Sequence, residues 1–183
     1  MLGNAMGVPS LGFLNGSMVV YLTRDDLGEA FEEIETHYAR YEEVPHYVRE
    51  TPGMGKLLGV LEKVQMDMFY PSFLDKATYL LIAINKGHFF SNGNKRLALV
   101  IAIGFLEFNG KSLKSFSPGE YKEKLDELFG TVWFEEYSEF TPEEFALYHL
   151  SLIVAESHKY VGNDFDALKQ KVHDFFAFAL AEE

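Results

Sequence analysis

Residues 88 to 96, HFFSNGNKR, hold one histidine, two asparagines, a glycine, a serine and two cations within nine positions. An imidazole titrates near pH 6.5 in water, which suits His88 to accept a proton from an attacking group at neutral pH. Asn92-Gly93 readily takes positive φ, a conformation that turns successive N–H groups toward one point and forms an anion nest. Lys95 and Arg96 follow where a helix is expected to begin. Cations at that end oppose the macrodipole unless an anion offsets them, so the pattern suits a bound phosphate beside a proton acceptor. Each residue also has a plain structural reading: a histidine packed beside two phenylalanines, an Asn-Gly turn, a solvated Lys-Arg pair.

These nine residues need elements on both sides to hold them. Upstream, Ser72 with Asp75 offers a helix cap, and KATYLLIAINKG sets Ala77, Leu80, Leu81 and Ile84 on one stripe ending at Gly87. Downstream, a helix starting near Asn94 is apolar all round from Leu97 to Leu106, as expected of a central, fully buried helix, and Asn109-Gly110 closes it. The chemistry therefore falls in a short loop between two helices, with Phe89 and Phe90 pinning it.

The rest reads as nearly all helix. Thr23 with Asp26 caps a first helix whose buried face runs through Leu27, Ala30, Phe31, Ile34, Tyr38 and Tyr41. Val44 to Gly55, with two prolines and two glycines, is expected to be a loop, followed by a helix over about Lys56 to Met68. Ser117-Pro118-Gly119-Glu120 and Thr141-Pro142-Glu143-Glu144 should start helices reaching about Leu128 and His158, and Asn163 or Asp164 a last one to about Ala181. Met18 to Leu22 is the best strand candidate. This predicts an all-α fold in one domain: an N-terminal arm (1–22), a core (23–130), and a C-terminal helical extension (131–183) packed on that core.

Composition bounds the function. The chain carries 17 Phe and 10 Tyr with 48% hydrophobic residues, far from the signature of disorder. Cysteine is absent, which removes thiolate nucleophiles and disulfides, and a cytoplasmic location is the expectation. The first 22 residues lack the charged start and continuous apolar stretch of a signal peptide. A net charge of −12 argues against broad nucleic-acid or anionic-membrane binding. Between Lys76 and Ser115, however, five lysines and one arginine face the single acid Glu107, a basic island that surrounds the loop and would suit a nucleotide phosphate.

HFFSNGNKR resembles the Fic/Doc (Fido) signature H-x-F-x-[D/E]-[A/G]-N-[G/K]-R at His88, Phe90, Gly93, Asn94, Lys95 and Arg96. The flanks, from Pro52-Gly53-Met54 through YPSFLDKATYLLIAINKG to ALVIAIGFLEFNG, resemble the Doc (death-on-curing) branch. The resemblance implies a Fido helical bundle around a central buried helix, with at most a short N-terminal strand or flap hairpin. It further implies a transferase whose cofactors are ATP and Mg²⁺. Fic proteins commonly transfer AMP to a protein hydroxyl and carry a second arginine three positions after the first, where this chain has Leu99. The Doc branch has Lys at the position of Lys95, lacks that arginine, and transfers the terminal phosphate of ATP to a translation factor.

By that carry-over His88 is the base, and Ser91, Asn92, Gly93, Asn94, Lys95 and Arg96 bind and neutralise the phosphates. Phe90 is the motif anchor, and Met68, Phe69, Tyr70 and Phe73 belong to a flap that holds the target by adding a strand to it. The motif acid that should hold Mg²⁺ is Asn92, a weak ligand at best, so a nucleotide-binding scaffold without turnover stands as an alternative beside phosphate and AMP transfer. No [S/T]-x-x-x-E-[G/N] inhibitory element is found, since Glu136 follows Glu135, and the resemblance then implies a separate antitoxin chain.

Overall fold

A computed structural model describes residues 10–14, 17–38, 47–131 and 141–181. Eight helices and one two-stranded ribbon make up the described residues, an all-α architecture. The ribbon pairs β1 (Ser10–Leu14) with β2 (Ser17–Tyr21) antiparallel, Gly12 opposite Val19. The strand expected at Met18 is β2. Its partner β1 lacks an alternating pattern because Gly12 leaves room for the Tyr21 ring; a Cβ there would lie 2.6 Å from it.

The helices are α1 (Asp26–Tyr38), α2 (Thr51–Lys63), α3 (Phe73–Lys86), α4 (Asn94–Phe108), α5 (Pro118–Phe129), α6 (Pro142–Ala155), α7 (His158–Val161) and α8 (Phe165–Ala179). Their starts follow the capping chemistry read from the sequence. Ser72, Ser117 and Thr141 each accept from the N–H three residues on, and Asp75, Glu120 and Glu144 bond back to the cap. Thr23 donates to Asp26 from both its amide and its hydroxyl, each at 2.6 Å. Asp164 caps α8 through the Ala167 amide.

Three boundaries differ from expectation: the helix begun at Thr141 ends at Ala155 rather than about His158, where the separate α7 begins, and both ends of α2 are shifted. The stretch expected to be loop through Gly55 is a 3₁₀ turn at Tyr47–Arg49 followed by α2, which begins at Thr51, five residues early, and ends at Lys63 rather than Met68. Proline in the first helical turn has no N–H to lose there, so Pro52 starts the helix instead of breaking it. The Tyr41 end of the first helix, the Val44 start of that loop, Trp133 and Tyr137 lie outside the described residues.

Helix α4 buries Leu97, Ala98, Leu99, Ile101, Ala102, Phe105 and Leu106, each large side chain contributing about 1.5–3 kcal/mol. It shares the centre with α3, which packs along α4 on one side and against α6 and α8 on others. The single stripe read on α3 understates its burial because Lys76, Thr78 and Asn85 are polar and buried as well. Residues of α6 and α8, among them Leu150, Val154, Val172 and Phe176, join the same core. No helix among the described residues is long and apolar enough to cross a membrane.

Candidate functional site

The nine-residue stretch is the connection between α3 and α4. Helix α3 ends at Gly87, where a Cβ would collide with the Phe89 ring, 2.1 Å away. The next residue, His88, has φ +45° and is the only non-glycine residue with positive φ among those described. That conformation costs an L-residue energy and persists only where the surroundings impose it, which is why such residues gather at functional sites. The His88 side chain is exposed.

Two residues on, the loop is locked. Phe90 donates its N–H to Asn94 Oδ1 at 3.0 Å and accepts from Asn94 Nδ2 at 2.8 Å, so one side chain closes both backbone groups. The Phe90 ring is buried edge-on against Tyr47, centroids 4.9 Å apart, and Tyr47 stacks on Phe31 at 4.6 Å. Burial, helped by Glu35 and Glu50, pushes the Tyr47 hydroxyl far above its ordinary value, so it remains a neutral donor, 3.5 Å from the Gly93 carbonyl. Gly53 lies under the loop: a Cβ there would be 2.3 Å from the Phe89 carbonyl oxygen. His88 is thus within about 7 Å of backbone from a fixed point at Phe90.

Gly93 is the N-cap of α4 and is left-handed, φ 72°. It supplies no side-chain cap, and the first helical bond runs from the Leu97 N–H to the Gly93 carbonyl at 2.9 Å. The N–H groups of Asn94, Lys95 and Arg96 precede that bond and lie at the positive end of the helix. Lys95 is exposed and Arg96 is buried. This first turn is braced from α6: Ser151 donates its hydroxyl to the Lys95 carbonyl at 3.0 Å and accepts from Asn85 Nδ2 at 2.8 Å. Glu156, which follows α6, is held below the usual carboxylate value by its bond to Lys159, with Lys95 and His158 adding to the effect.

The loop's own amides are already engaged. Gly93 donates to Asn92 Oδ1 at 2.7 Å, and Ser91 donates its N–H and its hydroxyl to the two oxygens of Glu50 at 2.8 and 2.7 Å. The donors left beside the loop are the N–H groups of the first turn of α4 and the exposed Lys95 side chain. The Asn92 oxygen serves the turn, and no group of three His, Asp or Glu able to hold a metal occurs among the described residues. Asn92 supplies no charge, so a Mg²⁺ ion at this loop would be held chiefly by the phosphates it neutralises.

The basic island disperses in three dimensions. Lys76 is fully buried, bonded to the Val64 carbonyl at 2.9 Å and to Asp67 at 2.8 Å. It lies eleven residues before Gly87, about 16 Å along α3. Lys86 bonds Ser157 and Lys114 the Phe178 carbonyl. Only Lys95 and Arg96 of the island belong to the loop and the turn that follows it, because Lys76 and Lys86 lie along α3 and Lys111 and Lys114 lie beyond the end of α4.

Met68, Phe69 and Tyr70 lie in a turned connection whose Phe69 and Tyr70 N–H groups both bond the Met66 carbonyl, while Phe73 opens α3 and stacks on Phe105. Strand addition to a target would require those two amides to be released. Sequence reasoning passed over Glu50, Tyr47, Asn85 and Ser151. Glu50 and Tyr47 came from a stretch read as loop, and nothing in the spacing links residue 50 to 91.

The Fic/DOC family model matches residues 17–106, just under half of the chain, which supports placing this segment in the Fido superfamily. No curated protein and no solved structure matches.

Proposed function

We propose, with residues 17–106 read as a Fic/DOC-family segment, that the α3–α4 loop binds ATP and that the protein transfers its terminal phosphate to a hydroxyl of another protein. The observation that carries this reading is the backbone of His88, strained at φ +45° beside a helix start with two cations and no side-chain cap. The N–H groups of Asn94, Lys95 and Arg96, with both cationic side chains, hold and neutralise the phosphates. Their contribution is positioning and charge stabilisation, which is most of what phosphoryl transfer requires. The target oxygen attacks the γ-phosphorus, the bond to the ADP oxygen breaks, and the hydroxyl proton passes to the His88 imidazole. Phe90 and the Tyr47 and Glu50 contacts keep the loop in place.

Leu99 favours phosphate over AMP transfer. It stands where AMP-transferring proteins of the family carry their second arginine, and it is buried in the core at 2% exposure, with no phosphate-binding side chain to offer. Asn92 supports a second reading, a scaffold that binds nucleotide without turnover, since its oxygen already serves the Gly93 amide. Under the favoured reading the protein is a cytoplasmic toxin restrained by a separate antitoxin, with a translation factor as target. ATP labelled in the γ-phosphate or in the adenine tests the reaction: γ-label alone on protein is the expected result, adenine label would replace it with AMP transfer, and no label would leave the scaffold.

A further inference from the structure

A second concavity lies at the opposite end of α3. Its volume is about 260 Å³, and its walls come from Phe69 and Tyr70, from Asp75 and Thr78 on α3, and from the first turns of α8. Thr78 is nine residues before Gly87, about 13 Å along the helix, so this cavity is separate from the nucleotide loop. Thr78 is only 3% exposed, yet its Oγ1 has no hydrogen-bond partner. A helical threonine ordinarily bonds the carbonyl four residues back. On the α8 wall the His173 side chain is 30% exposed, but its Nδ1 is buried without a hydrogen bond, with the Asp174 carboxylate 3.7 Å away.

Two unmatched polar atoms lining one cavity call for a ligand that bonds to both, and the other walls define it. Asp75 spends one oxygen on the Ser72 amide and hydroxyl, which leaves the other. Gln170 spends its amide nitrogen on Asp174, which leaves its carbonyl. With Asp166 added, the lining offers acceptors and two negative charges against the single cation Lys169. The Phe69 ring, 55% exposed, supplies a π face; the Tyr70 ring, 6.5 Å from it and tilted 57°, is buried and stacked on Tyr79. A flat cation with several N–H donors can bond the Thr78 hydroxyl, the second Asp75 oxygen, the Gln170 carbonyl and, in the tautomer with Nδ1 unprotonated, the His173 ring. Guanidinium has that shape and stacks on aromatic rings, whereas an ammonium meets one point.

The rim is apolar. Met66, Met68 and Phe69 on the connection and Phe165 at the start of α8 are all exposed. That surround suits a polypeptide better than a free small cation, and a chain of net charge −12 draws basic partners. We propose that this groove receives an arginine side chain presented by a partner polypeptide. The inference does not depend on the nucleotide reading.

Amide NMR on the full chain tests it with N-acetyl-arginine amide and its neutral isostere N-acetyl-citrulline amide. Saturable shifts at Thr78 and at residues 169–173 are expected with the arginine probe, and at least tenfold weaker binding with citrulline. Asp166→Asn should weaken the arginine probe about tenfold, and Lys169→Gln should strengthen it. Thr78→Val should weaken it without lowering Tm, because the hydroxyl it removes has no partner in the fold. An acetyl-Leu-Arg-Leu amide should bind more tightly than the single residue, the gain vanishing in Met68→Ser. Absent shifts, equal binding of citrulline, or a Thr78→Val variant that loses Tm and keeps binding would overturn the site; no gain from the tripeptide would overturn the polypeptide partner. ATP titrated into the same sample reads residues 88–96 separately.

Discussion

Helices α3, α5 and α6 start with a hydroxyl cap, a reciprocal acid and closed backbone bonds, whereas α4 starts on a left-handed glycine with cations in its first turn. The first three starts are complete without anything else. The fourth is held from outside, by Tyr47 at Gly93, Ser151 at Lys95 and Glu50 at Ser91, while its N-cap glycine supplies no side-chain cap. The contrast sets starts closed by their own sequence against one held in place by residues from other elements. Under the nucleotide reading, the start held by its neighbours is the one that receives an anion.

His88→Ala strikes the open start hardest. Transfer should fall at least about 100-fold while ATP affinity, by calorimetry, stays within about threefold; unchanged transfer would remove the base assignment. Gly93→Asp turns the open start into a closed one by placing a carboxylate over the α4 amides. The left-handed φ costs about 1–2 kcal/mol for a side chain, and ATP affinity should drop about tenfold or more through repulsion. Gly53→Ala tests the outside support. Its Cβ would meet the Phe89 carbonyl oxygen at 2.3 Å, so a loss of about 1–3 kcal/mol in denaturant unfolding is expected, with displaced His88 and Phe90 amides.

Ser72→Ala probes a closed start. It should cost about 1 kcal/mol and leave ATP affinity untouched. The smallest effect is pH-dependent: the Glu120 carboxyl is held below its ordinary value of 4.5 by the Ser117 amide and hydroxyl. A lowered folded pKa adds stability above the unfolded value that is lost as pH falls through the folded one. Glu120→Gln should therefore lower Tm slightly at pH 7 and leave it unchanged near pH 2.

Much of this was legible in the sequence because it is local. A cap and its acid are three residues apart, Gly87 and Asn109 mark helix ends, and the nine-residue motif sits at the junction its flanks define. What misled was also local: Pro52 and Gly53 resemble loop punctuation, and six cations between residues 76 and 114 resemble one patch. Proline is equally at home in a first helical turn, and Gly53 is needed for a backbone contact 36 positions away that no window along the chain contains.

The sequence by itself marked most helix starts and placed the nine residues HFFSNGNKR between two helices, since those depend on hydrogen bonds and periodicities spanning a few residues. Tertiary structure alone decided that His88 is strained and exposed, that Glu50 grips Ser91, that Leu99 is core, and that an acceptor-rich groove forms between Thr78 and α8. Each of these depends on segments meeting across tens of residues, and such meetings are settled by which apolar faces bury together rather than by any spacing along the chain.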